Sequence, residues 1–132
     1  MVSTKSLPLS MDTLTDSELS YYALNITSLG ELEVMRKESI KTLRVMHCDQ
    51  LTSLLGADSF PNLLELNCSS NQISEIKNLF YLKRLITLNL SCNDISSVPD
   101  LSPLISLEVL NLSHNRVTQL AGFALVVFFH KE

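Results

Sequence analysis

The sequence predicts an α/β solenoid, a short stack of repeats with a parallel sheet on one face and loose or 3-10 returns on the other. Three observations carry this expectation. A 22-residue pattern of apolar positions recurs in register from Leu63, Leu85 and Leu107. Within each unit, a stretch of five residues alternates apolar and polar, as a short half-buried strand does. The core material is aliphatic, with 26 leucines and no tryptophan in 132 residues, about twice the ordinary use of leucine.

The three strong units read as follows. From each start, apolar residues return at offsets +3, +5, +10, +13, +16 and +19, with asparagine at +8. The first set is Leu63, Leu66, Cys68, Asn71, Ile73, Ile76, Leu79 and Leu82. The second is Leu85, Leu88, Leu90, Asn93, Ile95, Val98, Leu101 and Leu104. The third is Leu107, Leu110, Leu112, Asn115, Val117, Leu120, Phe123 and Val126. One such strand cannot bury its apolar face alone. Stacking neighbours about 4.8 Å apart joins the faces into one continuous core.

Two degenerate units precede these. Ile40, Leu43, Val45 and Cys48 match the early offsets, and Leu51 and Leu54 then arrive one residue late, so this unit is one residue longer than those that follow. Further back, Leu19, Tyr22, Leu24, Thr27, Leu29, Leu32 and Met35 fit a unit that starts at Leu19 and ends where Ile40 begins the next, one residue shorter than the firm repeats. Residues 15–24 also read as a capping helix, with Thr15 or Asp16 as N-cap and Glu18 in the first turn. The expected organisation is an N-terminal segment over residues 1–18, flexible or part of a cap. A repeat domain follows over 19–128, and an uncapped end over 129–132.

The segments LLELNCSSNQI, LITLNLSCNDI and LEVLNLSHNRV resemble the leucine-rich repeat pattern L-x-x-L-x-L-x-x-N/C-x-L. The 22-residue length is similar to the cytosolic subfamily typified by the nuclear regulatory subunit of protein phosphatase 1. The resemblance covers three firm repeats and extends through two weaker ones. It implies that Asn71, Asn93 and Asn115 form a structural ladder bonding the backbone where the chain turns, with Cys48 on the same rung. It also implies that partners bind on the concave sheet face, and it is far more specific for fold than for function.

The C-terminal segment is the least conventional part. A fourth firm repeat is due at Phe129, and residues 121–132 supply Leu125, Val127, Phe128 and Phe129 in excess of what one return can bury. Solenoids normally end in a cap with a polar outer face. The expectation is therefore a truncated or splice form of a longer repeat protein, with self-association through this apolar end.

Composition excludes several function classes. A net charge of −4 disfavours direct nucleic-acid binding. No apolar run reaches the roughly 18 residues of a membrane span, and the first twenty residues lack the apolar region of a secretory signal. Three cysteines without close pairing read as reduced thiols. The chain is thus expected to be cytoplasmic, cytoskeletal, ciliary or nuclear rather than secreted. Four N-x-S/T sequons start at Asn25, Asn67, Asn89 and Asn111, but three of them are the strand consensus itself. No catalytic constellation, phosphate-binding glycine loop or metal cluster is visible, so neither enzymatic activity nor a cofactor is expected. Cys92 and His114 share an offset one repeat apart, but two ligands fall short of a zinc site. Lys83 and Arg84, with Lys77, read as solvated cations on the return side.

What remains is the outward sheet face. Its +2 column is Thr42, Glu65, Thr87 and Val109, and its +4 column is Arg44, Asn67, Asn89 and Asn111. Met46, Ser69, Ser91 and Ser113 stand at +6, followed at +7 by His47, Ser70, Cys92 and His114. Binding hot spots favour arginine and large side chains. The candidate footprint on a protein partner is therefore Thr42, Arg44, Met46, His47, Glu65, Asn67, Asn89 and Asn111. The function this supports is a non-enzymatic protein-binding module, an intracellular adaptor or regulatory scaffold. A secreted recognition module is the alternative from another class.

Overall fold

The computed structural model describes residues 17–120 and the backbone of residues 128–129. Eight short strands follow one another along the chain. They are β1 (Glu18–Tyr22), β2 (Thr42–Met46), β3 (Glu65–Asn67), β4 (Thr87–Asn89), β5 (Ser97–Val98), β6 (Val109–Asn111), β7 (Gln119–Leu120) and β8 (Phe128–Phe129). Six of them form one parallel sheet in the order β1-β2-β3-β4-β6-β8, and β5 pairs with β7 in a second small sheet in the returns. Helical structure among the described residues is confined to three 3-10 turns, Leu29–Glu31, Lys37–Ser39 and Ala57–Ser59. The later returns are closed by i to i+3 turns of the same kind, such as the Leu82 N–H to the Leu79 carbonyl at 2.9 Å.

The register of the main sheet follows the repeat. Leu43 pairs with Leu66, Leu66 with Leu88, and Leu88 with Leu110. All four are fully buried, as are Val45, Cys68 and Leu90 two residues on. Ile73, Ile76, Leu79 and Leu82 close the far side of the core, and Ile95, Val98, Leu101 and Leu104 do so one repeat later. The coils that start at Leu63 and Leu85, both buried, therefore each contribute two further inward residues from the strand and four from the return. Neighbouring coils seal that core because neither side of a single coil is apolar enough to stand alone.

The first repeat departs from its sequence reading. Residues 18–22 are a strand rather than a capping helix, and Leu19 pairs with Leu43. Leu19 therefore stands at +3 of a unit beginning at residue 16, three residues earlier than the periodicity suggested. Tyr21, not Tyr22, points into the core. Tyr21 is 3% exposed, whereas Tyr22 is 47% and Met35 is 96% exposed. Leu29 and Leu32 fit both registers because leucines three apart cannot tell them apart. Ile26, fully buried, fits only the earlier one. Residues 1–16, including the N-cap candidates Thr15 and Asp16, lie outside the described residues.

At the other end, Val109 pairs with Phe128 and Leu110 with Phe129. The sixth strand of the main sheet thus arrives three positions earlier than the repeat would place it, and the boundary expected at 128/129 falls inside it. Leu120, expected to point inward, is 49% exposed. Its strand partner is Val98 of β5, which is buried. Phe123 and Val126 lie outside the described residues.

Candidate functional site

Every strand from β1 to β6 in the main sheet ends in the same backbone device. The residue at +7 of each unit adopts the left-handed conformation, although none is glycine. Ala23, His47, Ser70, Cys92 and His114 have φ between 56° and 61°. That conformation costs roughly 1–2 kcal/mol for an L-residue. It is held by the continuing ladder. The N–H groups of Ala23, Ser70 and Cys92 donate to the carbonyls of Met46, Ser91 and Ser113 at 2.9–3.0 Å.

The +8 asparagines then tie neighbouring coils together. Nδ2 of Asn93 donates to the carbonyls of Cys68 (2.9 Å), Leu90 (3.1 Å) and Ser91 (3.1 Å), while Oδ1 accepts from the Ile73 N–H at 2.9 Å. Asn115 repeats this one coil on, accepting from Ile95 at 2.8 Å. Asn71 differs by accepting from the Cys48 N–H at 2.8 Å. In this longer repeat the Leu51 N–H donates to the Cys48 carbonyl at 3.2 Å, and the Asn71 Oδ1 takes the Cys48 N–H instead. Cys48 is buried, and its Sγ lies 3.5 Å from the Met46 carbonyl oxygen. Burial raises the Cys48 thiol pKa, outweighing hydrogen bonds from the Leu24 and Ala23 backbone that lower it. Cys68, fully enclosed, is pushed up much further by the same cause.

The outward face divides into two chemically different halves. Toward the C-terminus, Asn67, Asn89 and Asn111 stand in one row. Each Oδ1 accepts from the N–H two residues on, in Ser69, Ser91 and Ser113, at 3.0 Å. These bonds bend the chain out of the strand, a local role that the sequence pattern did not reveal. Thr87 and Val109 flank the row, and the row itself is uncharged.

The half formed by β1 to β3 is different. Arg44 lies centrally on β2 with Nη1 3.8 Å from Oε1 of Glu18 and Nη2 3.8 Å from Oε1 of Glu65. Glu18 pairs in register with Thr42, and Thr42 with Glu65, so the sheet itself brings the two carboxylates to either side of the arginine strand. Met46 pairs with Tyr22. The Tyr22 ring stacks on His47, with centroids 6.5 Å apart and planes at 24°. A shallow, mainly polar recess of about 360 Å³ opens beside them, lined by Ala23, Leu24, Asn25, His47, Asp49 and Gln50.

The structure therefore brings Thr42, Arg44, Met46, His47 and Glu65 into one patch, with Asn67 adjoining. Asn89 and Asn111 continue their row away from it. The sequence reading missed Glu18 and Tyr22 because its register for the first repeat was three residues late. Ile26, left without an inward place in that register, was the available signal. On the return side, Lys77 pairs with Glu75 at 2.8 Å, Lys83 donates to the Pro103 carbonyl at 2.8 Å, and Arg84 reaches Asn62 at 3.5 Å.

A family model of leucine-rich repeats, in two copies, matches residues 83–125. The fold is a short leucine-rich-repeat solenoid. No curated protein matches the chain. Among the described residues no helix is long and apolar enough to cross a membrane. No group of three or more potential metal ligands converges among them either.

Proposed function

We propose that this leucine-rich-repeat solenoid is a non-enzymatic protein-interaction module, serving as an intracellular adaptor or regulatory scaffold, and that its partner docks on the outward face of β1 to β3. The observation that carries this reading is the concentration of side-chain variety there. Glu18, Arg44, Glu65, Tyr22 and His47 gather on three strands and their turns, while the remainder of the face repeats asparagine and serine between Thr87 and Val109 on one side and Cys92 and His114 on the other. Large aromatic and arginine side chains are where interface energy concentrates. Resemblance to the 22-residue cytosolic subfamily supports the intracellular setting.

The test exploits two exposed tyrosines on opposite surfaces. Tyr22 lies on the sheet face, and Tyr81, 78% exposed, on a return. Each is replaced in turn by a photoreactive benzoylphenylalanine, and the protein is irradiated in cytosolic extract. Discrete adducts from position 22 and none from position 81 are expected. Adducts from position 81 alone, or from neither, would remove the sheet face as the docking site.

A further inference from the structure

The face of β1 to β3 is electrostatically one-sided, and we infer that it takes an extended protein segment carrying basic side chains spaced about three residues apart. This rests on reading the face as a protein-binding surface.

The argument starts from Arg44. Its two terminal nitrogens are directed sideways into Glu18 and Glu65, each 3.8 Å away. One guanidinium balances one carboxylate, so the trio carries a net charge of −1. At that separation these are ion pairs rather than hydrogen bonds, and the two carboxylates flanking the guanidinium oppose an incoming anion. Both carboxylates remain more than a third exposed, at 38% and 37%, and each has lone pairs to offer a second cation. In the adjoining recess, Asp49 is the one formally charged lining group. Glu18, Glu65 and Asp49 thus stand on these strands and their turns with Arg44, and exposed Lys41 sits at the entry to β2, so this region keeps a net charge of −1.

Tyr22 supplies the second element. Its ring is half exposed and held flat against His47. Four residues along β1 from Glu18, and next to the recess that His47 and Asp49 line, this ring offers a cation–π contact to a further lysine or arginine of the segment. The spacing selects an extended segment. Glu18 and Glu65 lie on strands two steps apart, about 10 Å. A segment crossing the strands as an extended polyproline II chain covers that distance in three residues, at about 3.1 Å each, and its three-residue turn returns side chains i and i+3 to the same face. A nucleic acid or an acidic segment would be repelled by the same charges.

The experiment is an amide-resonance NMR titration of the full chain. The probe is a nine-residue glycine/serine peptide with lysine at every third position, and a matched peptide carries glutamate at those positions. The lysine peptide should shift resonances of β1 to β3 and of the Asp49–Gln50 turn, and the glutamate peptide should shift none. Glu18→Gln/Glu65→Gln should weaken binding tenfold or more. Arg44→Gln, which releases both carboxylates, should tighten it severalfold. Glu38→Gln/Glu75→Gln, which removes the same charge elsewhere, should change it less than twofold. Absence of binding, shifts scattered over the whole surface, equal loss in both double variants, or binding of the glutamate peptide would overturn the inference. Its failure is separable from that of the functional reading. Adducts at position 22 with a partner indifferent to Glu18→Gln/Glu65→Gln would leave an interaction module with a different ligand, whereas no adducts would remove both.

Discussion

Replacing Asn93 by alanine removes four hydrogen bonds, but they are not equal. The Leu90 carbonyl still accepts from Asn115 at 2.8 Å, the Cys68 carbonyl from Asn71 at 2.8 Å, and the Ser91 carbonyl from the Ser70 N–H at 3.0 Å. Each keeps one partner. The Ile73 N–H loses its acceptor, and Ile73 is fully buried. An orphaned buried donor costs about 1–3 kcal/mol, and the weakened carbonyls add a fraction each. The expected loss for Asn93→Ala is therefore about 2–3 kcal/mol. Asn89→Ala removes one bond, from the Ser91 N–H at 3.0 Å, at a half-buried position that water can reach. Its cost should be about 0.5–1 kcal/mol. Urea denaturation followed by circular dichroism measures both, provided the slope of stability with denaturant is unchanged. Equal losses for the two variants would refute the view that one orphaned N–H dominates.

Leu90→Ala, at a fully buried inward position, should cost about 2–5 kcal/mol and unfold the array as one unit; a second, unshifted transition would contradict this. Gly56→Ala should be strongly destabilising, well beyond about 1 kcal/mol. At φ 102° its new Cβ would fall 2.3 Å from the Gly30 nitrogen and 2.4 Å from its Cα. Ala23→Gly, at φ 58°, should instead stabilise by about 0.5–1 kcal/mol, with Ala23→Val moving melting the other way. Alkylation of the native protein should label Cys92, which is exposed, and spare the buried Cys48 and Cys68 until denaturant is added; early labelling of Cys68 by mass spectrometry would mean the strand register is wrong.

The repeat, its strands and its inward leucines were legible from residue 63 onward because the physics there is periodic. A residue's environment in one coil is the environment of its counterpart 22 positions away, so spacing alone assigns Leu66, Leu88 and Leu110 to the core. The same logic assigned the Asn93 and Asn115 ladder, through resemblance to leucine-rich repeats.

Where the period slips, spacing stops deciding. In the first unit leucines three apart suit two registers, and the choice was made by backbone pairing of Glu18–Tyr22 with Thr42–Met46. That pairing buried Tyr21, released Tyr22 to the surface and set Glu18 beside Arg44. The Asp49 recess and the Tyr22–His47 stack likewise depend on coils of unequal length meeting side by side, which no single strand encodes. Sequence by itself determined the repeated scaffold, since hydrophobic burial reads periodicity. Tertiary structure alone decided which side chains meet on the sheet face, because a parallel ladder joins residues by hydrogen-bond register rather than by distance along the chain.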